Sequence, residues 1–277
     1  MMKFDQYLRG QVEDILAWEA EEPWLLTKAV NRATAPLAWG INRILPKAAL
    51  DGMVITADWA ASLTTREKWV LEEAGVDDFA AVRKLPLVKL DAMADSVHNW
   101  AITTATAEGG VAGATGLLGM IFDVPAVMGQ AFRLIRQVGL CYGYETKTDE
   151  DFSFCLEVLN LAGATSMKEK TASLVTLKSL EITLTKVSWK AMRKVAENNP
   201  VTREAFLLAL KKVAGQLGVR LTKAKALQAV PIIGAAVGCT ANLAFMRSVG
   251  WAARRAFQRR LLTEHGFAIV GRTPTEA

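Results

Sequence analysis

The sequence predicts an all-α protein, a compact multi-helix bundle with two central Gly/Ala-rich helices. Apolar residues recur at helical spacing along most of the chain, and no alternating run of strand length occurs between hairpin turns. Two uncharged, glycine-punctuated segments cover roughly residues 109–122 and 226–246. Hydrophobic residues make up 51% and charged residues 22%, which suits a sizeable core and is too charged for a polytopic membrane protein.

Helical periodicity and helix-breaking residues divide the chain into consecutive helices. Phe4, Leu8 and Val12 recur at helical spacing, and Pro23 ends this amphipathic helix. Later helices are expected at about 25–44, 47–75 with a break near 62–65, from Pro86 onward, 123–144, 165–198 and 206–217. We therefore expect an N-terminal helix over 1–24, one helical domain over 25–265, and a flexible tail over 266–277.

Two of these helices present polar residues whose position can be predicted. The buried face of the helix that Pro86 opens is expected to be Leu90, Met93, Ala94, Val97 and Ala101. His98 falls nearer to the side of Asp91 and Asp95, so we expect a surface histidine. In the helix over 165–198, Glu181 is expected to face away from the core stripe.

Charge and cysteine content indicate the compartment. The net charge of +5 is modest, so it weakly favours anionic surfaces and makes nucleic acid an unlikely partner. Cys141, Cys155 and Cys239 lack zinc-ligand spacing and lie in apolar contexts, which predicts buried free thiols in a reducing compartment. The first residues show no signal-peptide pattern. We expect a cytoplasmic protein that can be peripheral to the inner membrane.

The first glycine segment leads into a polar stripe. Its glycines allow close backbone approach, and Asp123 is expected to cap a new helix. Polar residues recur on one face of that helix, either as an ordinary solvent face or as a buried pair of Asp123 and Arg133 that binds an anionic head group or carboxylate. The candidate ligand-binding residues are Glu108, Asp123, Gln130, Arg133, Gln137, Tyr144 and Asn242.

The second segment carries no charge from Ala226 to Met246 and is long enough to cross a hydrocarbon core of about 30 Å. Gly234 and Gly238 form a G-x-x-x-G pair that lets helices touch. Two interpretations stay open, a buried hairpin in a soluble core and insertion into or docking on a membrane. The candidate membrane or anion contacts that follow are Arg247, Trp251, Arg254, Arg255, Arg259 and Arg260.

The sequence contains no established catalytic signature. It has no G-x-S-x-G, H-E-x-x-H or P-loop, so we expect no metal and no cofactor. A hydrolase that uses Glu108 and Asp123 is the catalytic alternative. The sequence favours a non-enzymatic role and leaves catalysis open.

Two blocks of sequence form a recognisable pattern, one from Asp123 to Tyr144 and one from Val230 to Asn242. The pattern positions are Asp123, Pro125, Arg133, Tyr142, Gly143, Gly234, Gly238 and Asn242. With this pattern the chain resembles the EcsC family of bacterial helical proteins; the resemblance covers about Trp24 to Phe257 and is most specific in the two blocks. The resemblance implies an all-helical fold in a bacterial cytoplasmic or membrane-peripheral setting. It implies no mechanism, because the family has no settled activity or catalytic residues to transfer.

Together these features favour a non-enzymatic membrane- or lipid-associated accessory protein of the bacterial cytoplasm. It would bind anionic lipid or a membrane protein through the glycine-rich helices and the basic C-terminal helix. A soluble interaction module that binds a partner helix or self-associates is the alternative, with the hydrolase after it.

Overall fold

The computed structural model describes residues 2–23, 65–112, 116–164, 166–186, 231–267 and 269. The helices predicted over 25–44 and 206–217 lie outside these residues, as do most of 47–75 and the end of 165–198. Within the described ranges every regular element is a helix, as the sequence predicts. The helices are α1 (Met2–Ala20), α2 (Glu67–Ala74), α3 (Phe79–Val82), α4 (Leu87–Ala112), α5 (Gly116–Cys141), α6 (Asp149–Ala162), α7 (Met167–Lys186) and α8 (Pro231–Glu264).

Local signals set several helix ends. The Asp78 side chain accepts a hydrogen bond from the backbone N–H of Ala81 at the start of α3. Thr148 and Asp151 form a capping box at the start of α6. Gly75 ends α2 in the left-handed conformation with φ +69°, which a residue without a Cβ adopts without strain.

Helices α4, α5 and α8 form the centre of the bundle. The α4 and α8 helices are antiparallel, because His98 lies beside Gly250 whereas Asp91, earlier on α4, lies beside Gln258. Helix α5 packs on both, and Gly139 allows the Phe257 ring to approach its backbone. The prediction that the two Gly/Ala-rich segments belong to neighbouring central helices is therefore confirmed.

The core follows the predicted apolar faces. All five residues expected to form the buried face of α4 are buried, and Ile15 buries the middle of α1. Cys141 and Cys155 are buried free thiols, as predicted, whereas the side chain of Cys239 lies outside the described set. Aromatic side chains from α5, α6 and α8 fill the interior between the helices, among them Phe132, Phe154 and Phe257.

The first glycine segment differs from its prediction. Helix α4 continues through Gly109 and Gly110, and α5 already begins at Gly116, so Asp123 lies inside a helix and is not its N-cap. The glycine penalty of about 1 kcal/mol per helical position is a weak preference, which packing between central helices readily overrides. Pro125 likewise lies within α5.

The second glycine segment and the arginine-rich stretch that follows it form one helix. Helix α8 runs for 34 residues from Pro231 to Glu264, a length of about 50 Å at 1.5 Å per residue. Residues 226–230 lie outside the described ranges. In the part of the chain that the structure describes, no helix is both long and apolar enough to cross a membrane.

Candidate functional site

A buried carboxylate on α4 is the centre of a polar cluster. Asp91 is 1% exposed. The Tyr142 hydroxyl donates to its Oδ1 at 2.5 Å, and the Tyr7 hydroxyl donates to its Oδ2 at 2.7 Å. Helix α1, helix α4 and the end of α5 therefore meet at this one side chain.

Helix α8 supplies the remaining donors. Gln258 Nε2 lies 3.1 Å from Asp91 Oδ1 and 2.9 Å from Oδ2. Arg254 Nη2 lies 3.7 Å from Asp91 Oδ2, and its Nη1 lies 2.8 Å from Asp95 Oδ1. A buried charge needs this density of hydrogen bonds and opposite charge to offset its lost hydration. We call Tyr7, Asp91, Tyr142, Arg254 and Gln258 the Asp91 cluster.

The electrostatics of the cluster keep its tyrosines neutral. Burial, with the Asp91 carboxylate adding to it, raises the pKa of both Tyr7 and Tyr142. Burial also raises the pKa of Asp95, and the Arg254 guanidinium opposes that shift. Both Asp91 oxygens accept hydrogen bonds from donors of this chain. The cluster therefore holds α1, α4, the end of α5 and α8 together, and Asp91 is not available as a general base.

A glycine after Tyr142 fixes the position of that tyrosine. Gly143 has φ +80°, a conformation that side chains with a Cβ rarely adopt. A Cβ at this position would also lie 2.6 Å from the Phe79 carbonyl oxygen and 2.5 Å from Arg83 Cγ. The Tyr142-Gly143 pair, which the sequence singled out only through its family resemblance, is thus a structural requirement of the cluster.

His98 is buried, so its predicted surface position is wrong. The side chain is 5% exposed, and its ring meets Trp251 edge-on with centroids 5.8 Å apart. Burial lowers its pKa to about 4, although a hydrogen bond with the Arg247 backbone opposes the shift. The error arose because the face of α4 that carries Asp91 is polar and nevertheless packs against α8.

Four predicted membrane-contact arginines of α8 lie inside the bundle in contact with carboxylates of the same chain. Arg254 contacts Asp95 as above. Arg255 Nη2 lies 3.4 Å from Asp14 Oδ2. Arg259 Nη1 lies 2.7 Å from Glu19 Oε1, and its Nε lies 3.3 Å from Glu181 Oε2.

The fourth arginine is sandwiched against aromatic rings. The guanidinium of Arg260 lies 4.1 Å from the centroid of the Tyr144 ring, and its side chain also contacts Asp151 and Glu264. This arrangement differs from the expected basic surface, because carboxylates distant in sequence converge on α8 from α1, α4, α6 and α7. Lipid contact by these four residues would need a conformation in which their ion pairs open.

Glu181 also differs from its expected solvent-facing position. It is 3% exposed and pairs with Arg259. Burial raises its pKa to about 7, and the Arg259 guanidinium partly opposes that rise.

The predicted ligand-binding stripe on α5 contacts three different elements. The Gln137 amide caps the start of α2, since its Oε1 accepts from the Arg66 backbone N–H at 2.8 Å. Tyr144 stacks on Phe257 of α8. The Arg133 guanidinium lies over the Trp100 ring of α4.

Gln137, Tyr144 and Arg133 therefore contact three different elements, and ligand binding by the complete stripe stays a prediction. Gln130 is partly buried on α5. Glu108, Asp123 and Asn242 lie within α4, α5 and α8 respectively, and their side chains lie outside the described set.

An exposed tryptophan beside an arginine is the surface feature that sequence analysis missed. Trp100 is 50% exposed, and the guanidinium carbon of Arg133 lies 5.1 Å from its ring centroid. We call Trp100 and Arg133 the Trp100 patch. Arg247, a predicted membrane contact on α8, is also exposed, and its backbone contacts His98. The only sequence signal of the patch was a tryptophan within an otherwise small and polar stretch of α4.

Comparison with known proteins identifies the family of this chain. The chain is 25% identical over 196 residues to the uncharacterized protein YdbA of Bacillus subtilis (strain 168). The match covers 70% of this chain and 66% of the relative, just under two thirds of its length. No solved structure matches the chain. The EcsC protein family matches residues 9–262, nearly the whole sequence including the Asp91 cluster apart from Tyr7, so the chain belongs to the EcsC family.

Proposed function

We propose that this protein is a non-enzymatic membrane-associated accessory protein of the bacterial cytoplasm. It docks on an anionic lipid surface with the Trp100 patch at head-group level. The observation that carries the proposal is the half-exposed Trp100 with the Arg133 guanidinium over its ring.

The chemistry of the patch suits a lipid interface. Tryptophan has an apolar ring and a polar N–H, so it is favoured where hydrocarbon meets water. Arginine binds phosphate through paired N–H donors. Arg133 would supply such donors beside Trp100, and Arg247 is a second exposed arginine, on α8.

The Trp100 patch lies where the three central helices become poor in charged residues. Beyond Asp95, helix α4 carries only Glu108 as a charged residue. Before Arg133, helix α5 carries only Asp123, and α8 carries no charge before Arg247. Because α4 is antiparallel to α8 and is followed directly by α5, these poorly charged ends lie at the same end of the bundle. This charge distribution supports shallow docking of that end.

The non-enzymatic part of the proposal has its own support. Asp91 is the most deeply buried carboxylate of the described residues, and its oxygens already accept from Tyr7, Tyr142 and Gln258. Of the predicted ligand-binding stripe, Gln137, Tyr144 and Arg133 contact three different elements. Among these described side chains and the Asp91 cluster, no acid and base share access to a substrate.

Vesicle flotation tests the proposal with a matched pair of variants on one helix. Trp100→Ser removes the exposed aromatic side chain, and Val88→Ser removes another exposed apolar side chain, 51% exposed, from the first turn of α4. Vesicles of phosphatidylcholine with phosphatidylglycerol should float the wild type and Val88→Ser. Trp100→Ser should bind roughly tenfold more weakly, since burying half a tryptophan is worth more than 1.4 kcal/mol.

The charge part of the proposal requires a second comparison. Substituting Arg133 and Arg247 together by Ala should weaken binding to the anionic vesicles and remove most of its dependence on salt. Equal flotation of Trp100→Ser and Val88→Ser would overturn the proposal, as would failure of the wild type to float at low salt. Self-association of a wild type that does not float would favour the soluble interaction module instead.

A further inference from the structure

Helix α1 packs on the bundle through apolar and polar contacts together. Leu8 and Ile15 are buried, and Val12, Leu16 and Trp18 pack against the core. The polar contacts are concentrated on α8, where Gln11 accepts from Arg255 at 3.0 Å and from Gln258 at 2.9 Å.

The acidic side chains of α1 match basic side chains of α7 and α8. Asp14 pairs with Arg255. Glu19 pairs with Arg259 at 2.7 Å and with Lys178 at 3.0 Å. Both carboxylates thus neutralise cations that belong to other helices.

The end of α1 is held by a further lysine. Lys170 Nζ donates to the carbonyl oxygens of Trp18 and Glu21, the latter at 2.6 Å. Its ammonium also lies 4.7 Å from the Trp18 ring centroid. Cations are stabilised at the C-terminal end of a helix because its last carbonyl groups lack partners. We call Lys170, Lys178, Arg255 and Arg259 the basic strip.

The basic strip reaches the place where α8 packs on α4. The Arg255 guanidinium lies 5.5 Å from the Trp251 ring centroid, and Trp251 contacts His98 of α4. Helix α1 contacts the four cations of the strip from the other side.

The groups on α8 that α1 contacts each keep another partner without it. Arg259 retains Glu181, and Arg255 retains Gln258 at 2.8 Å. Asp91 retains Tyr142 and Arg254. Separation of α1 therefore leaves no α8 arginine as an isolated buried charge, which is the usual reason that a charged interface cannot open.

We infer that α1 is an acidic latch over the basic strip, and that an anionic lipid surface competes with α1 for these four cations. The lipid part rests on the proposed function. Phosphate head groups would replace the carboxylates of Asp14 and Glu19 and the carbonyl groups at the end of α1. The two lysines and two arginines of the basic strip then add positive charge to the surface that contacts lipid.

A pair of charge-matched variants tests the latch. Glu19→Lys places a cation beside Arg259 and Lys178, whereas Glu13→Lys makes the same charge change at an exposed position of α1. Amide hydrogen exchange in α1 should become about tenfold faster in Glu19→Lys and should stay unchanged in Glu13→Lys. Glu19→Gln, which keeps the shape of the side chain, should show a smaller change in the same direction. Circular dichroism confirms that each variant is folded.

Flotation then tests the competition. With phosphatidylcholine vesicles that contain phosphatidylglycerol, Glu19→Lys should bind several-fold more tightly than Glu13→Lys, and the difference should vanish on phosphatidylcholine alone. Equal α1 exchange in the two variants would overturn the latch, and this measurement needs no lipid. Faster α1 exchange without tighter vesicle binding would overturn the competition, whereas the Trp100→Ser comparison decides the proposed function separately.

Discussion

The Tyr142 hydroxyl donates a 2.5 Å hydrogen bond to Asp91 Oδ1 across 51 positions of sequence. The bond joins the residue after α5 to the second turn of α4, and Arg254 and Gln258 extend it to α8. The three central helices therefore share a charged anchor at Asp91.

We expect Asp91→Asn to destabilise the protein by about 3 kcal/mol. The substitution removes the charge that compensates buried Arg254, and breaking a buried pair on one side costs about 3–5 kcal/mol. Asp95→Asn removes the other Arg254 partner, whose side chain is 42% exposed, and should cost less than about 1 kcal/mol. Urea unfolding with an unchanged m-value measures both. Equal losses in the two variants would contradict the central role of Asp91.

We expect Gly250→Ala to destabilise the protein by roughly 1–3 kcal/mol, the usual cost of overpacking a core. Its Cβ would lie 2.0 Å from Cδ2 of the His98 ring, so the ring or α8 must move. Gly10→Ala is the control, because its Cβ meets nothing within 4 Å and alanine gains up to about 1 kcal/mol of helix propensity.

A second substitution identifies the cause of the Gly250→Ala effect. In the background of His98→Ala, the added methyl group has room, so Gly250→Ala should cost much less there. A double-mutant cycle with no coupling between the two positions would show that the clash with His98 is not the cause.

Much of the fold could be predicted from the sequence, because helical periodicity reports which face of each helix is apolar. The buried face of α4 was predicted correctly for this reason. The pattern failed at His98 and Glu181, since a polar residue predicts solvent unless a partner is known. Their partners, Trp251 and Arg259, are on α8, and no local pattern relates α8 to α4 or α7.

The candidate site was less predictable than the fold. The arginine run of α8 resembled a basic surface, because Asp14 and Glu19, which contact it, are more than 200 residues away in sequence. The sequence did not predict a site at Trp100, because a single tryptophan forms no periodic pattern. Its importance depends on Arg133 of another helix and on its exposed fraction, which only the packed structure reveals.

We expect Glu181→Gln to change how stability depends on pH. Burial raises the pKa of Glu181 from 4.5 to about 7, so the folded state binds its proton more tightly than the unfolded state. The resulting stability is fully present below pH 4.5 and is lost as the pH rises through 7, a change on the order of 2–3 kcal/mol.

The measurement compares the wild type with Glu181→Gln by urea unfolding at pH 5 and pH 8. Glu181→Gln should gain stability relative to the wild type at the higher pH. His98 acts in the opposite direction, because its pKa is lowered and its protonation destabilises the fold in acid. This contribution is the same in both proteins, so it cancels when the stability of the wild type is subtracted from that of Glu181→Gln at each pH. Exposed Glu13→Gln is the control. Parallel stability profiles for wild type and Glu181→Gln would contradict the raised pKa.

The unbroken course of α8 has a mechanical consequence. The uncharged half that begins at Pro231 and the half that carries Arg254 and Arg259 belong to one continuous helix of 34 residues. The Pro231 end lies about 35 Å along the axis from Arg254 at 1.5 Å per residue. A small tilt of α8 about its buried arginines would therefore displace the Pro231 end by the largest distance of any part of the helix.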